Sequence, residues 1–221
     1  MIRPGKNLTE NLIADLAADL PPVKRLAHPA KRLLRWLAVA LPVSLMLGAL
    51  VEQQHLALAM ERIREPRVLF ELAAILLTAL SAGYAALCCV QPGRSSRAWM
   101  LPIAPFVFWL SMVGENCWRL FEQIGPDQFS FAPHWTCFPS VAATGFAPAL
   151  VMAVLLKRGA VLTPSLTVAL GTLAAAALGA VGLRLYHPPD ATALLMLWQL
   201  IATVTFLGIA GLAARFWPRR V

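Results

Sequence analysis

The sequence predicts an all-α membrane protein, a six-transmembrane-helix bundle preceded by a short cytoplasmic N-terminal amphipathic helix. Hydrophobic residues make up 59% of the chain and charged residues only 14%, whereas ordinary globular domains carry roughly 25% charged residues. A helix needs about 20 mostly apolar residues to cross a bilayer, and the backbone within lipid must hydrogen-bond to itself. Six stretches fit this description, at residues 33–51, 68–90, 98–113, 138–156, 162–185 and 191–217.

The third stretch is the shortest and contains Pro102 and Pro105. Neighbouring helices can re-satisfy the backbone groups that a proline leaves without a partner, so we keep six spans and take five as the alternative. The predicted organisation is a cytoplasmic segment at residues 1–32, a transmembrane domain at 33–217 and a cytoplasmic tail at 218–221. No cleavable signal peptide is expected, because the first long apolar run begins only at Leu33.

The distribution of basic residues predicts the orientation. Of the 19 Lys and Arg, 14 lie near span ends on the side of the N-terminus, and the other five are Arg62, Arg64, Arg67, Arg119 and Arg184. Lys and Arg concentrate on the cytoplasmic side of membrane proteins, so both termini are predicted in the cytoplasm. The net charge of +8 follows mostly from this pattern, and we expect no direct binding of nucleic acid.

The segment from Asn7 to Leu20 predicts one short amphipathic helix. Asn7 is a candidate N-cap with Glu10 three residues later, and the Pro21–Pro22 pair ends the helix. The segment from Asn7 to Val23 contains three acids and no base, whereas helices that lie on membranes are usually basic. A groove on a protein partner fits better than the alternative of a helix that caps the bundle. The apolar stripe consists of Leu8, Leu12, Ile13, Leu16 and Leu20.

Cysteine and histidine residues are found on the predicted external side. Cys117, His134 and Cys137 belong to an external loop at residues 114–137, and His187 belongs to the short turn after the fifth span. Two such thiols can form a disulfide in an oxidising compartment, and thiolates with imidazoles can bind a soft metal. The spacing does not decide between these alternatives and unpaired residues. Cys88 and Cys89, at the opposite side, are predicted packing residues.

Two features inside the spans concern packing. Glu71 lies a few residues inside the second span, and we interpret it as an acid that either extends to the interface or faces the bundle. Gly171, Ala175 and Gly179 recur at intervals of four residues, which is typical of close helix approach in membranes.

The fragments FPSVAATG and YHPPDATA are similar to motifs of membrane phosphatases that hydrolyse lipid phosphates. Val141 and Ala142 replace the Gly-His of the first motif, and His187 and Asp190 are one residue too close for the second. A phosphate pocket also needs cationic side chains, in which the external side is poor. We therefore predict a protein that is not an enzyme. A small transporter is a further alternative. The polar residue that would support it is Gln199, in the sixth span.

The whole chain resembles the NrsF-type polytopic membrane anti-sigma factors. The resemblance is carried by NLIADLAADLPPVKRLAHP before the first span, by WTCFPS at the start of the fourth, and by the segment from Leu156 to Asp190. It implies an inner-membrane protein whose N-terminal segment sequesters an extracytoplasmic-function sigma factor. The residues that would contact the sigma factor are Leu12, Ile13, Asp15, Leu16, Asp19 and Leu20.

The resemblance also implies two external sensing cysteines. Cys137 matches the first, whereas His187 occupies the position of the second. The partner of Cys137 is therefore either Cys117 in a disulfide, or His187, His134 and Cys117 in a mixed metal site. We expect no required cofactor, and a soft or transition metal ion or an oxidant as the periplasmic signal that releases the sigma factor.

Overall fold

The computed structural model describes residues 5–18, 26–52, 60–61, 63–93, 96–125, 137–160, 163–186, 201–206, 208–209 and 211–212. This part of the chain is helical, as predicted. The α-helices are α1 (Gly5–Ala18), α2 (Pro29–Glu52), α3 (Pro66–Cys89), α4 (Ile103–Ile124), α5 (Cys137–Leu156) and α6 (Pro164–Tyr186), and a 3-10 helix spans Ser96–Met100.

Among the described residues, four helices are long and apolar enough to cross a membrane, over Pro29–Leu50, Pro66–Cys89, Arg97–Gln123 and Pro164–Tyr186. In α5 the apolar part is shorter, Ala142–Leu156. The predicted sixth span lies largely outside the described residues, of which 201–206 are helical. The prediction of a membrane bundle is thus supported by four helices, and the count of six stays a prediction.

Two predicted boundaries were wrong. α1 begins at Gly5, so Asn7 lies inside the helix rather than at its N-cap. α4 continues to Ile124, so residues 114–124 are helical and not part of an external loop. Pro102 precedes α4 and Pro105 lies in its first turn, where a missing N–H costs no helical hydrogen bond.

Side-chain pairs one turn apart explain why α4 continues past Val113. Arg119 Nη2 lies 2.6 Å from Glu115 Oε1, and Trp118 Nε1 donates to Glu122 Oε1 at 2.8 Å. Such pairs stabilise a helix even where its residues are polar. Gly125, with φ of 75°, then ends it, and its N–H donates to the carbonyl of Phe121.

Helix α6 is the centre of the bundle, because every residue from Leu173 to Tyr186 is buried. It packs against α2, α3 and α5. A Cβ on Gly179 would lie 2.9 Å from the backbone nitrogen of Gly145 in α5, and a Cβ on Gly182 would collide with the backbone of Ser44 in α2. The predicted small-residue seam is therefore buried and extends to Gly182.

Contacts between helix ends define two ends of the bundle. At the first, which we call the α1 end, Gln91 Nε2 donates to the carbonyl of Ala27 at 2.9 Å, and the N–H of Ala160 donates to the carbonyl of Val90 at 3.1 Å. At the other, the far end, Arg67 lies 3.6 Å from Glu115. Consecutive helices from α2 to α6 therefore run in alternating directions, as membrane spans joined by short connections must.

Candidate functional site

Helix α1 presents an apolar stripe that no other described element covers. Leu12, Ile13 and Leu16 are 58%, 60% and 62% exposed, and Asp15 beside them is also exposed. Burial of a leucine-sized side chain is worth about 1.5–3 kcal/mol, so the stripe is a strong candidate for contact with another surface. Two further predicted contact residues, Asp19 and Leu20, lie outside the described residues.

The predicted sensing residues are described only in part. Cys117 lies in α4, half-buried and packed against the bundle core, and not in a loop. Cys137 is the first residue of α5, but its side chain and all of His134 and His187 lie outside the described residues. Within the described part of the chain, no three His, Cys, Asp or Glu side chains are grouped to hold a metal ion. The convergence of Cys117, His134, Cys137 and His187 stays a prediction.

A buried ion pair joins α3 to α6 at the far end. Arg184 Nε donates to Glu71 Oε2 at 2.9 Å, and the two side chains are 9% and 1% exposed. Glu71 therefore faces the bundle, one of the two predicted arrangements. Its other oxygen, Oε1, has no hydrogen-bond partner in the described structure. In the sequence, Glu71 and Arg184 each lie within a few residues of the far end of a predicted span, which is a signal for such a pair. The sequence did not show that the two residues meet.

Three side chains of α2 donate hydrogen bonds to backbone carbonyls of α5, and we call this set the α2–α5 ladder. Arg32 donates to Leu155, Trp36 Nε1 donates to Pro148 at 2.9 Å, and Ser44 Oγ donates to Thr144 at 3.3 Å. The sequence alone did not predict the α2–α5 ladder.

Proline chemistry explains the position of one rung of the ladder. Pro148 lies inside α5 and has no N–H, so the carbonyl of Thr144, four residues earlier, loses its helical donor. The hydroxyl of Ser44 supplies a replacement, as neighbouring helices do in membranes. A proline within an apolar span was therefore the available signal for a donor on a neighbouring helix.

Arg32 differs from the basic residues beside it. Lys31 and Arg35 are exposed, whereas Arg32 is 3% exposed. Its guanidinium reaches the carbonyl of Leu155 in the last turn of α5, where helices have unsatisfied carbonyls and partial negative charge.

One residue of the first phosphatase-like fragment, Thr144, is buried inside the bundle. Thr144 Oγ1 donates to the carbonyl of Ser140 at 2.9 Å within α5. His187 and Asp190, from the second phosphatase-like fragment, lie outside the described residues. Cys88 is buried and Cys89 packs against the core, as predicted.

The family model described as "Negative regulator of sigma F" matches residues 16–219, which include every predicted span and the last turn of α1. No curated protein and no solved structure matches the chain.

Proposed function

We propose that the chain is a membrane-bound anti-sigma factor, because it belongs to the NrsF family, the negative regulators of sigma F. In this proposal α1 holds an extracytoplasmic-function sigma factor at the cytoplasmic face of the inner membrane. Membership in the family makes the protein a negative regulator of a sigma factor, and thus a regulator rather than a member of an enzyme family.

The exposed stripe of α1 is the observation that supports this proposal most strongly. Leu12 and Leu16 lie one turn apart, each more than half exposed, with acidic residues on the neighbouring faces. An amphipathic helix of this kind binds by placing its apolar face in a groove. The acids Glu10 and Asp15 favour a groove with a basic rim, because charge complementarity speeds association and selects the partner.

The position of α1 agrees with an output on the cytoplasmic side. α1 precedes α2, whose first residues lie at the α1 end with the turn that contains Lys157 and Arg158, both exposed. This end carries most of the Lys and Arg, which supports a location on the cytoplasmic side, where sigma factors and RNA polymerase act.

Co-purification tests the proposed function. We expect a Leu12→Asp, Leu16→Asp double variant to lose the sigma factor that the parent retains in membranes of the native host, because two charges in an apolar groove are costly. The measurement is the amount of sigma factor recovered per unit of tagged membrane protein, identified by mass spectrometry.

A matched control adds the same charge to the opposite face of α1. Asn11→Asp with Ala14→Asp introduces two carboxylates away from the stripe, and we expect it to retain the sigma factor as the parent does. Retention by the stripe variant equal to that of the control would contradict the contact through α1.

The proposed signal acts at the far end. α5 ends at the α1 end, so Cys137 begins it at the far end; α6 ends there at Tyr186, followed in the sequence by His187. Thiolate and imidazole are ligands for soft and transition metals, and a thiol pair is sensitive to oxidants. Metal binding or oxidation would release the sigma factor only if it favours one arrangement of the bundle over the other. A shift from 1:99 to 99:1 needs about 5.5 kcal/mol of differential binding.

A reporter for the regulated promoter tests the signal. With Zn²⁺ and, separately, the thiol oxidant diamide as probes, we expect Cys137→Ser to abolish the rise in transcription that the parent shows, because the thiolate is lost. Cys89→Ser, at the opposite end of the bundle, is the control and should respond as the parent does. An unchanged response of Cys137→Ser would remove Cys137 from the mechanism.

A further inference from the structure

The α2–α5 ladder joins the helix that follows α1 to the helix that begins at Cys137. Its donors, Arg32, Trp36 and Ser44, lie on one buried face of α2, and Trp36 and Ser44 are fully buried. Ser44 lies twelve positions after Arg32, which corresponds to roughly 18 Å of helix, more than half of a bilayer core of about 30 Å. The two helices are therefore fastened along most of their common length.

The ladder is built from bonds that resist separation. All three acceptors are carbonyls of α5, so the bonds hold the backbone of that helix and not only its side chains. If α2 and α5 moved apart, the indole N–H of Trp36 and the carbonyl of Thr144 would lose their partners in an apolar interior, which is costly. Movement of one helix is thus accompanied by movement of the other.

The start of α2, which follows α1 in the sequence, is held in place by hydrogen bonds. The carbonyl of Ala27 accepts a hydrogen bond from Gln91 at the end of α3, and the N–H of Arg32 donates to the carbonyl of His28 at 3.2 Å. The chain is therefore held in place from Ala27 onward, whereas residues 9–18 of α1 are all exposed.

We propose that Arg32, Trp36 and Ser44 are positioning residues of the regulator: by fastening α2 to α5 they set the place from which α1 is presented to the sigma factor. The inference rests on the proposed function, because it takes α1 to be the sigma-binding helix. It extends that function by making the bundle a part of the binding apparatus. A displacement of α5 at the far end then reaches α1 through the ladder.

The test removes single donors with a small change in the size of the side chain. Trp36→Phe and Ser44→Ala each delete one rung, and a hydrogen bond between membrane helices is worth about 0.6 kcal/mol on average. We expect sigma-factor retention to fall by up to about threefold in each single variant and about eightfold in the double variant. Trp109→Phe in α4 and Ser81→Ala in α3 are matched controls. Trp109 is a buried tryptophan outside the ladder, and Ser81 Oγ donates within its own helix to Leu77.

A flexible insertion separates positioning from a general loss of structure. Six Gly and Ser residues inserted after Val23 would let α1 move independently of α2, so retention should fall and the ladder variants should cause no further loss in that background. A weakened bundle would lower retention in both backgrounds.

The outcomes separate the two proposals. The positioning role would be overturned if the ladder double variant retained the sigma factor as the parent does, or if the matched controls lowered retention equally. It would also be overturned if the insertion had no effect on retention, or if the ladder variants lowered retention further after the insertion. If the Leu12→Asp, Leu16→Asp variant retains the sigma factor, the proposed function fails first and the positioning role with it. Loss in that variant with normal retention in the ladder variants would leave the proposed function standing alone.

Discussion

At the scale of single residues, the pair of Glu71 and Arg184 combines a cost and a constraint. Both groups leave water on burial, and Oε1 of Glu71 is left without a partner in the described structure. Desolvation of a buried ion pair often cancels its attraction, so apolar residues in its place can be equally stable. An ionisable residue within a membrane span also indicates function more often than stability. The pair therefore fixes how α3 and α6 align more than it stabilises the bundle.

Removal of Arg184 alone should destabilise the bundle more than removal of both charges of the pair. Arg184→Met should lower the stability of the bundle by about 3 kcal/mol, because it leaves the carboxylate of Glu71 buried and uncompensated. Glu71→Leu combined with Arg184→Met should restore most of that loss, since neither charge remains. The measurement is unfolding in detergent micelles followed by circular dichroism.

The surface pair of Glu115 and Arg119 provides the control. It is also a Glu–Arg pair, but it lies within one helix and its side chains are 52% and 58% exposed, so Arg119→Met should cost no more than about 1 kcal/mol. A double variant at positions 71 and 184 that is no more stable than Arg184→Met alone would contradict this account, because removal of the second charge would then have restored nothing.

At the scale of helices, the closeness of α6 to its neighbours depends on glycine. Gly182→Ala should destabilise the bundle by about 1–3 kcal/mol, because its Cβ would meet the backbone of Ser44, which cannot turn aside as a flexible side chain could. Gly114→Ala in α4 is the matched control, because a Cβ there meets nothing within 4 Å. That variant should be neutral or more stable by up to about 1 kcal/mol. Equal unfolding midpoints for the two variants would contradict the close approach of α2 and α6.

The same scale shows what the sequence can and cannot predict. Apolar runs predicted α2, α3 and α6 to within a few residues, because length and composition suffice to identify a membrane helix. They did not predict the end of α4, where Glu115, Arg119 and Glu122 continue a helix by local pairing that hydropathy does not register.

The candidate site was predictable in the same unequal way. The exposed stripe of α1 follows from helical periodicity, which is a local property. The ladder joins residues 100 or more positions apart, and only the packing of α2 on α5 brings Trp36 to Pro148. Contacts of that kind depend on the arrangement of helices, about which a single sequence carries little information.

At the scale of the whole molecule, the alternation of helix directions makes a prediction about sidedness. In a background without cysteine, Glu65→Cys should react with a membrane-impermeant maleimide in intact spheroplasts, because Glu65 is exposed just before α3 at the far end, which carries few basic residues. Arg158→Cys, exposed in the turn after α5, should react only after lysis if the basic α1 end faces the cytoplasm as we propose. Labelling of these two sites in the opposite pattern would reverse the orientation and place α1 where no sigma factor could reach it.

The labelling of Val221→Cys in the same background decides the number of spans. Protection until lysis, as at Arg158→Cys, follows from six spans, whereas labelling in intact spheroplasts would mean that the chain crosses the membrane five times.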